Sequence, residues 1–347
     1  MPLFGLSAIG VDLGSFHTAI YLPDQGLCLR EGTRCLVNAD NPQEILAVGS
    51  QARAMQSRTR GEAETLEPIQ HGAVADVEMA ALLMMALIER ASEKKKNLEK
   101  CLLCVTCPSG LTRVERDALY KALTATGAKR MAVVKSPVAA LLGAGVDVTT
   151  AKGTMVVTLG GGVTEIAVVS MGAVAAARTI RMGGQTADED IVNWFWREKG
   201  VVIGMKTAEQ LKRDMGAASE PTEDETEPML LRGRSAKTGE PCSVEITAVD
   251  VHKALMPYVT RIVDAMKNAL RNVPEELAAD IRESGVQLSG GGAMLKGLKD
   301  LLREETGVPI RVSPHPADDG ALGIGGAATD DSLRDFLINA GSADEIG

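Results

Sequence analysis

The stretch Met155–Val168, MVVTLGGGVTEIAV, decides how the rest of the chain is read. Met155 to Leu159 is an apolar run of strand length, Gly160, Gly161 and Gly162 follow, and Thr164 to Val168 is a second apolar run. Adjacent glycines let the backbone take positive φ and come close to a ligand. Successive amides in such a turn make a concavity suited to an anion. Taken alone, the pattern is also that of a plain hairpin turn.

A second copy separates the two readings. Asp12-Leu13-Gly14-Ser15-Phe16-His17-Thr18-Ala19-Ile20 matches Thr158-Leu159-Gly160-Gly161-Gly162-Val163-Thr164-Glu165-Ile166, with Leu, Gly, Thr and Ile at the same offsets. Two related strand–turn–strand units predict a duplicated architecture with two similar lobes. Two such turns facing one cleft would hold a polyphosphate from both sides. Asp12 ends an otherwise apolar strand, where a carboxylate is costly unless paired or open to a cleft. It suits contact with a metal's water shell beside a phosphate.

The 347 residues are 45% hydrophobic and 24% charged, enough for two domains with their own cores. Aromatics make up only 3%, so those cores rest on aliphatic residues and Met. A net charge of −9 argues against a nucleic-acid partner held by phosphate neutralisation, and against attraction to anionic lipid by charge alone. No run reaches the ~18 apolar residues of a membrane span. Met79 to Ile88 reads as a buried helix, and Met1 to Leu6 as the lead-in to the first strand without a secretory signal. Cys101, Cys104 and Cys107 have metal-like spacing but lie in a β-prone run. Alternation puts Cys101 and Cys107 on one face and Cys104 on the other. They read as small buried hydrophobes in a reducing cytoplasm.

Along the chain, residues 31–67 form a more polar insert, a helix-and-loop region carrying Arg53, Arg58 and Arg60. Pro68 to Asp76 leads into a long helix that ends near Lys94-Lys95-Lys96. Pro108-Ser109-Gly110 turns into a helix over Thr112–Gly127, and Ser136-Pro137 opens another, with proline well placed in the first turn. Gly183-Gly184 precedes a helix over Ala187–Lys199. Thr207 with Gln210 reads as a capping box. Glu209 and Lys212 share a face of the helix it begins, as a surface ion pair would. Ser219 to Glu227 is an acidic loop, and Leu230–Arg234 with Cys242–Thr247 is a hairpin. Val251, Leu255, Val259, Ile262 and Met266 follow helical spacing. Val286–Ser289 is a strand running into Gly290-Gly291-Gly292-Ala293-Met294, ahead of a helix over Leu295–Glu305; this third turn suits approach to a base or ribose. Asp319 to Ala328 reads as a tight helix start, and the acidic stretch after Asp330 as a peripheral tail.

In order and spacing, Asp12-Leu13-Gly14 with Thr18, Gly160 to Thr164, and Leu288 to Ala293 resemble the actin and heat-shock-chaperone ATPase superfamily. More closely, the chain resembles the MreB family of bacterial actin-like rod-shape proteins. Pro68–Asp76, Val114-Glu115-Arg116, Arg181–Gly184, Thr207–Gly216 and Leu231–Arg234 carry that likeness over nearly the whole chain. The resemblance implies an α/β, actin-like fold: two ribonuclease-H-like lobes around a nucleotide cleft, each with a smaller subdomain. It implies residues 1–30 and 68–140 as the core of lobe I, 31–67 as its small subdomain, 141–183 and 248–330 as the core of lobe II, 184–247 as its small subdomain, and 331–347 as a tail. It further implies ATP and magnesium in the cleft, head-to-tail filaments, and a place in the cytoplasm at the inner face of the cell membrane, guiding wall synthesis with membrane partners or an MreB paralogue. By position, Gly14 and Ser15, Phe16, His17, Thr18 would hold phosphates together with Gly160, Gly161, Gly162, Val163 and Thr164. Glu209, Gln210, Leu211 and Lys212 would face ribose and adenine, Gly291, Gly292, Ala293 and Met294 would close over the nucleoside, and Asp12 would meet magnesium through water.

Four positions depart from that family, two of them central to hydrolysis. Thr158 stands where relatives carry Asp, and Ser136 where they carry the Glu that orients the attacking water; Lys135 precedes it and Gln185 replaces a further Asp. Phosphoryl transfer depends on placing that water and holding magnesium, and loss of a general base costs ~10²–10⁴-fold. The expectation is nucleotide binding and polymerisation with slow or absent hydrolysis, unless Glu165 or Glu115 substitutes. Competing readings are a sugar or acetate kinase, a chaperone-type ATPase without its β-rich substrate domain, and a non-filament paralogue that regulates an active MreB.

Overall fold

The computed structural model describes residues 7–42, 44–55, 61–93, 96–222 and 227–346. Expectations for Met1–Leu6, Arg58, Arg60, Lys94-Lys95 and residues 223–226 of the acidic loop lie outside the described residues.

Two sheets repeat one strand order. In the first, Gly26–Gly32, His17–Leu22 and Ser7–Leu13 pair antiparallel, and Cys101–Cys107 and Arg130–Lys135 continue parallel. In the second, Ala173–Ile180, Thr164–Ser170 and Thr154–Leu159 pair antiparallel, and Val286–Ser289 and Ile310–Val312 continue parallel. The duplication read from the two turns thus extends to five strands in each lobe. The first sheet gains a sixth strand, Ala343–Ile346, antiparallel to Arg130–Lys135. The stretch expected as a peripheral tail is therefore built into the first lobe. It forms the helix Asp331–Asn339, buries Ala343, and takes hydrogen bonds from the Lys135 amide to Ser342 (3.0 Å) and from the Lys135 ammonium to Gly341 (2.8 Å). Four residues with two acids carry too little alternation to announce such a strand.

Each lobe is covered by a helix whose apolar residues recur at 3.6-residue spacing. Val77–Ser92, started by the Asp76 carboxylate accepting from the Met79 amide at 2.9 Å, buries Met79, Leu83, Met84, Leu87 and Ile88 against the first sheet. Ala248–Arg271 buries Val251, Leu255, Val259, Ile262 and Met266 against the second. Between the sheets lies a shared layer containing Val134, Val138, Leu141, Val156, Ala167, Ile324 and Ala327. Here the helix Ser136–Gly143 crosses the helix Asp319–Thr329. A Cβ on Gly143 would stand 1.8 Å from the Asp319 carbonyl, and one on Gly323 would stand 1.8 Å from the Ala139 carbonyl. The small residues of 319–328 therefore make a complete helix, not a start alone, because close crossing rewards what propensity disfavours.

The cysteines fall on the faces alternation predicts. Cys101 and Cys107 pack in the first-lobe core and Cys104 in the shared layer, with burial pushing the Cys104 and Cys107 thiols up to about 12. The polar insert holds, besides the helix Gly49–Met55, a three-stranded sheet of Cys35–Asn38, Ile45–Val48 and Ala63–Leu66. Met229–Ser235 and Pro241–Ile246 form the expected hairpin, joined by Val201–Val202. Two helix starts are corrected. Met205–Met215 begins ahead of Thr207, whose amide already donates to the Gly204 carbonyl, so Thr207 caps nothing. After the third glycine turn the helix runs Leu298–Thr306, because Gly291–Met294 first makes a 3₁₀ turn.

Candidate functional site

The two turns are alike down to their hydrogen bonds. Leu13 faces Thr18 and Leu159 faces Thr164 across their hairpins, and the Gly14 and Gly160 amides donate to His17 and Val163 at 3.1 and 2.9 Å. Both threonines are buried: Thr18 shares a hydrogen bond with Thr33 (2.8 Å), and the Thr164 hydroxyl donates to the Met182 carbonyl (2.9 Å). Their side chains lock the turns and leave anion contact to the backbone.

The turns meet across the cleft. A Cβ on Gly161 would lie 2.3 Å from Phe16 Cβ, and one on Gly162 would lie 2.8 Å from Ser15. Gly183 and Gly184 dock behind the second turn, where the Gly184 and Gln185 amides donate to the Gly160 and Gly161 carbonyls at 2.9 and 2.8 Å. This satisfies the first amides of the helix Gly184–Glu198 and fixes the turn's carbonyls away from the cleft. The third turn closes on the same place: a Cβ on Gly290 would stand 2.5 Å from the Leu159 carbonyl. Gly291 faces open space, Ala293 packs in the second-lobe core, and Met294 is exposed at the rim.

Asp12 sits at the end of its strand with Oδ1 accepting from the Thr106 hydroxyl at 2.7 Å. Burial pushes its carboxyl above the ordinary value, against the pull of Thr106 and the Arg30 charge. The matching position in the second lobe is Thr158, beside Ser289 as Asp12 is beside Thr106. The structure gives the repeat the same place and no carboxylate. Ser136 begins the inter-lobe helix.

The predicted ribose side divides. Glu209 lines the cleft cavity, Lys212 is not among its lining residues, and the two do not pair with each other. Glu209 takes Arg53 from the first lobe at 2.7 Å and Arg213 at 2.5 Å. Burial pushes its carboxyl up, but Arg53, Arg213 and Lys212 outweigh that and hold it below the ordinary range. Lys212 binds the Gly184 carbonyl (2.6 Å) and Asp188 (2.7 Å), whose carboxyl burial raises to about 6. Gln210 is exposed and donates to Asp214, while Leu211 packs in the second-lobe core.

Apart from Gln185, already noted as replacing an acid, the sequence reading gives several residues of the site no role there. The hairpin around His71 and Gly72, both at positive φ, threads between the turns: the Gly72 amide donates to Ser15 Oγ at 2.7 Å, and His71 Nδ1 lies 3.4 Å from the Gly162 carbonyl. Arg34, Arg53, Gln185 and Asp188 line a cavity of about 550 Å³ with Phe16, Gly162 and Glu209. The His-Gly pair was a detectable turn signal; Arg53 carried none. The two acids considered as substitutes for the missing carboxylates are committed elsewhere. Glu165 is buried, accepting from the Ser109 amide (2.7 Å) and Thr179 (3.0 Å), and burial pushes it up to about 7. Glu115 caps its helix through Thr112 and pairs with Arg181 at 2.5 Å.

Residues 6–334 match the family described as MreB/Mbl protein. The chain belongs to the MreB/Mbl family. The cell shape-determining protein MreB of Escherichia coli is 36% identical over 324 residues, 92% of each chain. MreB5 of Spiroplasma citri, solved bound to AMPPNP, superposes with a TM-score of 0.88 at 26% identity over 96% of this chain and 99% of its own. The MamK double helical filament subunit shares the fold at 21% identity, with a TM-score of 0.75 over 94% and 99%. This MreB/Mbl member thus has the actin-like architecture, and its converging glycine turns lie in the cleft of that fold. Among the described residues no helix is long and apolar enough to cross a membrane.

Proposed function

We propose that this chain binds ATP between its lobes, polymerises head to tail and serves cell-shape determination, with slow or absent hydrolysis. The observation that carries the reading is the pair of turns with matched hydrogen bonds, facing each other across the cleft. Relatives named as cell shape-determining proteins and a relative solved with AMPPNP support it. We divide the chain into residues 1–30 with 68–140, the insert 31–67, residues 141–183 with 248–330, and the insert 184–247, with 331–347 added to the first lobe.

Gly14 to Thr18 and Gly160 to Thr164 would hold phosphates through amides. Glu209 and Lys212 would meet the ribose and base, and Gly291 to Met294 would cover the base. Asp12 would be the carboxylate that meets magnesium through water; among the described residues no cluster of three acidic, His or Cys side chains could hold a metal. One carboxylate fits an ion held chiefly by water and the ligand's phosphates. Magnesium would neutralise phosphate charge there.

Slow hydrolysis is supported by Thr158 and Ser136, and by the engagement of Glu165 and Glu115 in the hydrogen bonds above. Family membership supports self-assembly first, with an MreB paralogue, wall-synthesis proteins and the inner membrane face as further expected contacts. Sedimentation of the full chain with and without ATP and magnesium is the test. Pelleting that depends on nucleotide is expected. A chain that binds nucleotide yet stays in the supernatant, unless an active MreB is added, is a regulatory paralogue instead.

A further inference from the structure

Phe16 stands where the first glycine turn meets the second. Its Cβ faces Gly161 so closely that Gly161 has no room for a side chain of its own. The His17 ring meets it edge-on at 4.7 Å, and the Arg34 guanidinium lies 5.9 Å from its ring centroid. Its backbone is pinned as well, since the Thr33 amide donates to the Phe16 carbonyl at 2.9 Å. The opposing wall cannot retreat easily, because the Gly160 and Gly161 carbonyls are both held by the helix behind them. Ser15 closes the same gap against Gly162 and is itself held by the Gly72 amide. Phe16 is among the residues that line the cavity, and Asp12 is not.

A nucleotide seated with its ribose at Glu209 and Lys212 directs its phosphates toward the two turns. The phosphates nearer the ribose reach the second turn from the cavity side. The terminal one has to enter between the turns, where Phe16 and Ser15 stand. Lodging it there requires Phe16 to leave Gly161, His17 and Arg34 together. A pocket that must first expel a packed side chain binds the larger ligand more weakly.

We propose that Phe16 is a specificity residue that shortens the phosphate groove, so that the cleft takes a nucleoside diphosphate in preference to a triphosphate. The proposal rests on the nucleotide reading of the cleft. ATP is admitted, more weakly than ADP, and a chain without a catalytic carboxylate at 136 or 158 is thereby biased toward the product-like state.

The experiment is a fluorescence titration of the full chain with methylanthraniloyl-ADP and with the matching non-hydrolysable imidotriphosphate, both with magnesium. The wild type is expected to favour the diphosphate by about tenfold or more. Phe16→Gly, which removes both the ring and the Cβ that faces Gly161, should bring the ratio close to one by gaining triphosphate affinity, and Phe16→Ala, which keeps the Cβ, should fall between. The graded Ala variant carries the same test if the Gly variant does not fold. Equal affinities in the wild type, or a Phe16 variant that shifts both ligands alike, overturns the role of Phe16 while keeping the nucleotide cleft. Failure of the wild type to bind either ligand overturns the nucleotide reading itself, and this proposal with it.

Discussion

Thr158 and Glu165 face each other across one hairpin, and between them they hold the chemistry of the second lobe's turn. Thr158 cannot accept a proton or bind a cation as a carboxylate does, and neither can Ser136. Restoring both acids as Thr158→Asp with Ser136→Glu should raise phosphate release at saturating ATP by about tenfold or more, part of the ~10²–10⁴ a general base supplies. An unchanged rate with nucleotide affinity intact would show that these positions are wrongly assigned. Glu165 makes a different prediction. Its value of about 7 in the folded chain lies above the ordinary 4.5, so folding favours the protonated form. That contribution is complete below about pH 4.5 and is lost as pH rises through 7. Denaturant midpoints of the wild type should therefore fall between pH 5 and 8 relative to those of Glu165→Gln; parallel pH profiles would contradict the burial argument.

The crossing of Ser136–Gly143 with Asp319–Thr329 is where element geometry departs most from propensity. A helix with four glycines among its 11 residues is a poor helix by itself, and each glycine costs about 1 kcal/mol against alanine. Tertiary contact reverses that preference at particular positions. Gly323→Ala drives a methyl group into the Ala139 carbonyl at 1.8 Å and should destabilise the protein by about 2 kcal/mol or more. Gly326 in the same helix has nothing within 4 Å of the added Cβ, so Gly326→Ala should be neutral or stabilising by up to ~1 kcal/mol. Thermal unfolding of the two variants side by side is the measurement. Equal effects would mean that the crossing does not set the sequence of this helix.

Across the whole molecule, the lobes are joined below by the shared apolar layer, further by Ser109 on Glu165 and Arg181 on Glu115, and above by Arg53 on Glu209. The lower joint is buried and permanent in character. The upper one is a single ion pair with Arg53 about one-third exposed, and such a pair contributes little to stability. Arg53→Ala should therefore leave the unfolding midpoint almost unchanged, within about 1 kcal/mol. It should nonetheless speed release of a bound fluorescent nucleotide several-fold, since it frees the small insert of the first lobe from the helix proposed to hold the ribose. A lowered midpoint with an unchanged release rate would make the pair structural and not a clasp.

The sequence by itself determined the duplication. Leu, Gly, Thr and Ile at equal offsets are local, and the turns they encode need only a few neighbouring residues to form, so the two lobes, the phosphate-type turns and the missing carboxylate at Thr158 were all legible. The Val77–Ser92 and Ala248–Arg271 helices were legible for the same reason, as periodicity within one element. What only the tertiary structure decided are contacts between residues far apart in the chain. Arg53 meets Glu209 across 156 positions, and Ala343–Ile346 joins Arg130–Lys135 after more than two hundred. Neither has a local signature, because a long-range ion pair or an edge strand is selected by the surface it meets and not by its neighbours in sequence. Phe16 belongs to the same class: in the sequence it is one residue of a turn, and only the approach of Gly161 from the other lobe sets it against the second turn.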